Sequence, residues 1–361
     1  MNLTSSNDKN IRWLYCNTIE DIESYKYLWQ ECLVYSSGNL FNSFEWIIQW
    51  KNTFWNKNWS LHLYIAFDND RCVLLAPFYI QKNISFPFVK YLYLLGQGEE
   101  ESSEISSEYQ DIFIDSKYDF LLLDLAKSIS SLKFDIAKCG SLLENANVIN
   151  LFSVLKNSII KHVGTRFIYS SEIDTTPSLS KNNKSKLNKS KNKLTALNAE
   201  YLWVKKENYD EYWELLKQFH QTRWNKLGKK GAFFHTNFSK FHNDFRKKNT
   251  QYIKMSAVLV NNTPIAIHYY FSFNNILYFY QSGWDEDNYA NTSPGFTLHV
   301  WGMNNCTETY YDFMMGSLHN SYKAKLGCNH NSKIYNVTLV KNKLKIMLNN
   351  VLFKTNNLFF K

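Results

Sequence analysis

Apolar residues recur along this chain with two different periods. Near 19–36 they fall at Ile22, Tyr25, Trp29 and Leu33, which predicts an amphipathic helix. A second helix is predicted near 43–55, with Ser43 as its cap and Trp46, Ile47 and Trp50 on its inner stripe. Over 61–67 and 71–80 the pattern alternates instead, and Asn69-Asp70 between these runs is hairpin chemistry. Strands at 91–95 and 110–114 flank an acidic, serine-rich loop at 99–108. A helix near 118–132, a strand at 134–139, a helix near 145–158 and a strand near 165–171 complete this half.

The stretch 178–200 is rich in Lys, Asn and Ser, with Leu179, Leu187, Leu194 and Leu197 close to helical spacing. It reads as a basic helix joining two halves, with phosphate contact as its functional alternative. The second half predicts a strand at 201–205, helices near 209–225 and 237–247, and strands at 252–260, 265–273 and 276–283. Asn261-Asn262-Thr263-Pro264 and Asn274-Asn275 supply the tight turns between these strands. A helix near 294–308, a strand at 311–314 and a last strand near 333–340 follow. Helices, antiparallel strands and a strand–helix–strand crossover indicate an α+β fold with mixed, mostly antiparallel sheets.

At 361 residues the chain is long for one core. The expected division is an N-terminal domain at 1–177, the connector 178–200, a C-terminal domain at 201–340 and an amphipathic tail at 341–361. The net charge of +9 favours anionic partners, but lysine excess makes most of it solvated surface. The few arginines (Arg12, Arg71, Arg166, Arg223 and Arg246) are more informative, because lysine lacks their planar fork. The six cysteines form no C-x-x-C pair and no metal spacing with histidine, so no metal is expected. They read as reduced thiols of a cytoplasmic protein, and neither a signal peptide nor a membrane span is expected. Lys343, Lys345, Lys354 and Lys361 mix with Leu344, Ile346, Met347, Leu352, Leu358 and Phe360 in the tail, a pattern compatible with peripheral contact at the inner membrane face.

Candidate chemistry clusters in the last third. Ser293-Pro294-Gly295 has the make-up of a helix start: a cap, a first-turn proline, and a glycine that allows close approach. Such a start can receive an anion. Asp312 and Gly316 bracket a buried strand and its turn, both with structural roles, and Tyr322-Lys323 follows. His220, His268, His299 and His319 lack the spacing of a metal site, and His299 is expected to be a packed histidine.

In order, Asp285, Ser293-Pro294-Gly295, Asp312, Gly316 and Tyr322-Lys323 resemble the C-terminal signature of FemAB-like and CelD-type GNAT acyltransferases. Leu40-Phe41-Asn42-Ser43-Phe44-Glu45-Trp46 and Leu75-Ala76-Pro77-Phe78 resemble that family's N-terminal motifs. His220 to Arg223, Gly231-Ala232-Phe233 and Phe241-His242 resemble its central region. The resemblance implies tandem GNAT-like domains and transfer of an acyl group from acyl-CoA (acetyl-CoA) to an amine, such as an amino sugar in surface polysaccharide synthesis. It also implies a catalytic Lys323 acting on oxyanion or donor charge, while Asp285 is assigned to acceptor positioning or proton removal. Ser293, Gly295 and Tyr322 are expected at the donor, Arg223 and His220 at the acceptor, and Trp46 in a structural role. The chain departs from simple GNAT enzymes in having no Q/R-x-x-G-x-G/A loop before Pro294. An aminoacyl-tRNA-dependent FemAB-type transferase is the nearest alternative, and a non-catalytic module binding an anionic glycan or lipid is the other.

Overall fold

The computed structural model describes residues 10–35, 38–83, 85–318 and 321–359, so His319, Phe360 and Lys361 lie outside the described residues. Two compact units emerge. The first comprises Met1–Gly98, Ser107–His162 and Tyr335–Lys361, and the second Glu99–Ser106 and Val163–Ile334. In chain order the first holds β1 (Ile11–Cys16), α1 (Lys26–Tyr35), α2 (Phe44–Phe54), β2 (Ser60–Asp68), β3 (Arg71–Lys82), β4 (Lys90–Leu94), β5 (Phe113–Ile114), α3 (Leu121–Ser131), β6 (Ile136–Leu143) and α4 (Asn147–Ser153). Strand β7 (Ser158–Ser170) crosses into the second unit. That unit adds α5 (Lys181–Ala196), β8 (Glu200–Trp203), α6 (Tyr209–Lys226), α7 (Thr236–Lys248), β9 (Ile253–Val260), β10 (Thr263–Phe273), β11 (Ile276–Trp284), α8 (Glu286–Tyr289), α9 (Pro294–Asn305) and β12 (Tyr310–Ser317). Strand β13 (His330–Val340) then returns to the first, which ends with α10 (Lys343–Phe359).

In the first unit the strands run β1-β2-β3-β4-β6-β13, with β5 against β3. Neighbours β1 to β4 are antiparallel and β4–β6 is parallel. The β2–β3 hairpin turns through Asn69 at φ 54°, a left-handed conformation that asparagine tolerates. Leu74, Ala76 and Phe78 of β3 pack with Leu121, Leu125 and Ile129 of α3, and β13 adds Val337 and Leu339 to the same core. Ser43 caps α2 by accepting the Trp46 amide at 3.2 Å. Trp46 is fully buried, its indole N–H donating to Ser107 Oγ at 2.9 Å.

The second unit orders its strands β7-β12-β11-β10-β9-β8. The α8–α9 segment is the crossover between the parallel pair β11 and β12. Alternation along β10 divides the packing between the two sheet faces. Tyr269 meets Trp213 of α6 and His242 of α7, whereas His268 meets His299 of α9. Helix α5 packs on α9 through a stripe that buries Leu187, Ser190 and Leu194.

Several elements differ from the sequence pattern. The helix near 145–158 ends at Ser153 and β7 begins at Ser158, because Asn157 turns left-handed at φ 70° and the β-branched Ile159 and Ile160 follow. The helix near 19–36 opens with a 3₁₀ segment, Ile19–Tyr25. The unit boundaries fall within β7 and β13, where the pattern suggested 177 and 340, and residues 178–200 lie inside the second unit. The long β7 hides the first boundary because no loop marks it. Among the described residues, no helix is long and apolar enough to cross a membrane, and no cluster of His, Cys, Asp or Glu could hold a metal.

Candidate functional site

The start of α9 is the focus of the second unit. Ser293 occupies the cap position but adopts a left-handed conformation (φ 49°, ψ 52°), and its side chain makes no capping bond. This corrects the reading of Ser293 as an ordinary cap. Its carbonyl accepts the Phe296 and Thr297 amides at 3.1 and 3.3 Å. Pro294 has no N–H, which leaves the Gly295 amide as the tip's open donor among the described residues.

This tip opens onto a cavity of about 340 Å³. Gly295 and Phe296 line it together with Lys186 of α5, Arg223 of α6, His268 of β10 and His299 of α9; Tyr322 and Lys325 also reach it. Lys186 lies 5.3 Å from the centre of the Phe296 ring, a cation–π contact beside the tip. The same lysine borders a second groove, of about 440 Å³, with Lys189, Lys193, Asn291 and Ser293.

The expected site residues divide accordingly. Gly295, Tyr322 and Arg223 share the cavity, and Ser293 borders the neighbouring groove. The other candidates are held by bonds to neighbouring groups. Lys323 donates its ammonium to the Met315 carbonyl at 2.7 Å and to the Phe313 carbonyl. Asp285 caps α8, accepting the Asn288 amide at 3.2 Å and the Asn288 side chain at 2.8 Å. His220 is buried on the inner stripe of α6, where Nε2 accepts the Trp224 indole N–H at 2.8 Å. Burial and the Arg223 charge lower its pKa to about 4.

Asp312 is fully buried and accepts Arg166 Nε at 2.8 Å and the Met314 amide at 2.7 Å. Gly316 sits where an added Cβ would come within 2.4 Å of Ser321 Oγ and 2.7 Å of the Phe167 ring. Both surroundings are those of packing and backbone support.

Two histidines join the cavity without having been singled out for chemistry. His268 Nδ1 lies 3.0 Å from the Tyr270 hydroxyl, and His299 Nδ1 lies 2.8 Å from the Tyr311 hydroxyl. The two rings are 4.3 Å apart centre to centre. Burial lowers His268 to about 3, and burial, His268 and Lys323 hold His299 well below the usual imidazole range. Both are therefore neutral bases near pH 7. One sequence signal was available for this arrangement: His268 and Tyr270 are two apart on a strand and so share a face.

Comparison with known proteins agrees with this architecture. The family described as acetyltransferase (GNAT) domain matches residues 181–324. Among solved structures, "Crystal structure of FemX" aligns over 93% of this chain and 99% of its own, with TM-score 0.61 and 12% identity. L-PGS from Bacillus licheniformis aligns over 92% and 96%, with TM-score 0.54 and 11% identity. A conserved protein of unknown function from Bacteroides thetaiotaomicron aligns over 92% and 99%, with TM-score 0.52 and 11% identity. No curated protein matches the chain.

Proposed function

We propose that the chain, with its GNAT-domain match over residues 181–324 and a fold like that of FemX, is an acyltransferase, and that the α9 cavity is where an amine takes an acyl group from an activated, phosphate-bearing donor. The carrying observation is the coincidence of one helix tip, the cations Lys186, Arg223 and Lys325, and two neutral imidazoles around one cavity.

The division of labour follows from charge. Lys186, Arg223 and Lys325 attract the phosphates of the donor's carrier, and the Gly295 amide meets an anionic oxygen at the positive end of α9. The amine nitrogen attacks the donor's carbonyl carbon. A C–N bond forms, and the bond to the leaving sulfur or oxygen breaks with its electron pair. Direct attack needs alignment and a proton acceptor rather than a covalent enzyme intermediate. Here the neutral imidazoles, rather than Asp285, are the groups suited to take the proton.

An acyl-CoA-type thioester is the preferred donor, and an amine of a glycan, lipid or peptide the acceptor; an amino sugar of a surface polysaccharide is the specific case proposed. The groove along Lys186, Lys189 and Lys193 favours a second reading, aminoacyl-tRNA, whose longer polyanion would use the whole row. Thermal shifts with CoA, acetyl-CoA and a short aminoacyl-RNA separate them. Stabilisation by acetyl-CoA that survives Lys189→Glu/Lys193→Glu supports the first; stabilisation by the RNA alone, lost in that variant, supports the second. No shift with any of them counts against the donor site. The six unbonded cysteines support a cytoplasmic location, and the exposed apolar residues of α10 support peripheral membrane contact.

A further inference from the structure

We propose that His268, Tyr270, Tyr311 and His299 form a single proton-relay circuit whose two ends both open into the α9 cavity. It rests on the acyl-transfer reading and adds to it the route of the proton.

Two short outer links are joined by one long middle link. From His268 Nδ1 to the Tyr270 hydroxyl is 3.0 Å, from there to the Tyr311 hydroxyl 3.5 Å, and from Tyr311 to His299 Nδ1 2.8 Å. Ser256 Oγ braces the Tyr270 hydroxyl at 3.0 Å. Both tyrosines are fully buried, so their hydroxyls must find partners inside the protein. Gly302 makes room for this arrangement: a Cβ there would stand 3.2 Å from the Tyr270 hydroxyl.

Each ring bonds inward through Nδ1, and both rings line the cavity. Among the described residues neither Nε2 has a hydrogen-bond partner, and His268 Nε2 lies 3.7 Å from the Cβ position of Gly295 at the helix tip. Rings 4.3 Å apart in a buried setting oppose double protonation, as do the nearby charges of Lys323, Arg223, Lys186 and Lys325. The circuit therefore carries one proton at a time.

The hydrogen-bond directions are consistent with transfer. With His299 donating from Nδ1 to Tyr311, Tyr311 to Tyr270, and Tyr270 to His268 Nδ1, the two imidazoles are opposite neutral tautomers. His299 Nε2 then holds a lone pair and His268 Nε2 a proton. As the C–N bond forms, the amine proton passes to His299 Nε2. Each hydrogen in the chain shifts one position, and the Nε2 proton of His268 goes to the departing sulfur or oxygen, which leaves with the electron pair of the broken bond. One proton enters and one leaves, so no external acid or base is consumed. Exchange with solvent through the open cavity resets the tautomers.

The test is long-range ¹⁵N–¹H correlation on full-length protein labelled with [¹⁵N]histidine. The wild type is expected to show opposite neutral tautomers at 268 and 299 between pH 5.5 and 8. Tyr311→Phe should move the His268 tautomer populations although His268 does not touch residue 311; Tyr270→Phe reads the chain from the other end and serves if the first variant fails to fold. Unmoved signals at the far histidine would overturn the circuit. In acetyl transfer from acetyl-CoA to glucosamine, both variants should lose about 100-fold in kcat, with KM changed less than about twofold; unchanged kcat would also overturn it. Coupled tautomers in a wild type that transfers nothing from acetyl-CoA or aminoacyl-RNA would support the circuit and count against the acyl-transfer reading alone.

Discussion

Asp312 and Lys323 hold the same kink in β12 from two sides: the carboxylate takes the Met314 amide, and the ammonium takes the carbonyls of Phe313 and Met315. Met314 sits at φ 61°, and the β12–β7 register shifts between Asp312 and Met315. The joint presence of an aspartate and a Tyr-Lys pair thus has a backbone explanation. Asp312 also pairs with Arg166 at 2.7 Å, both side chains nearly buried. Asp312→Ala should therefore cost about 3–5 kcal/mol, since it strands a buried guanidinium. Lys323→Ala should cost about 1–3 kcal/mol by unpairing two carbonyls. Urea titrations of the variants check both values, and a wild-type midpoint for Lys323→Ala would show that the clamp contributes nothing.

At Gly295 space, rather than backbone conformation, decides the outcome. A Cβ there would make ordinary contact, 3.7 Å from His268 Nε2. Gly295→Ala is expected to fold with a Tm close to wild type. Gly295→Leu should fill the cavity beside Phe296 and weaken donor binding at least about tenfold, equivalent to about 1.4 kcal/mol. Calorimetry with acetyl-CoA or the aminoacyl-RNA, whichever stabilises the wild type, checks this.

Stability should fall on acidification before the carboxylates titrate. Burial holds His242 and His268 to about 3, and His220 is held to about 4. The unfolded imidazoles titrate near ~6.5, so between these limits the unfolded chain binds more protons than the folded one. Their contribution is complete above about pH 6.5 and is lost as the pH falls toward about 3–4. Asp111, raised by burial to about 7, acts in the opposite sense in the first unit. Denaturant unfolding at pH 7.5, 6.0 and 5.0 should show the decline, and His242→Gln should flatten it; an unchanged slope would mean that His242 does not titrate on unfolding.

Helix α10 exposes Leu344, Met347 and Leu348, the first two at 70% and 65%, beside the exposed Lys343. Full-length protein should float with vesicles containing anionic lipid, and a chain ending at Val340 should not. Equal partitioning of the two would remove the membrane role.

Local rules made much of the fold legible. Ser43 caps its helix, and Asn69 and the asparagine pairs 261–262 and 274–275 make their turns left-handed. Pro294 marks the start of α9. The site was less legible because its residues come from distant segments. Tyr322, Arg223 and Gly295 line one cavity, but nothing in the spacing of Lys323 reveals two carbonyls waiting for its ammonium. The histidine pair joins a strand and a helix whose register is set by packing, and β13 returns to a core built mostly from the first 150 residues.

That return has a consequence for biosynthesis. Val337 and Leu339 leave the ribosome only after the whole of the second unit, yet they belong to the core of the unit whose other strands are translated before it. The nascent first unit must wait, incomplete, until β13 emerges. Premature termination shortly before residue 335 would thus be felt most by the oldest part of the polypeptide.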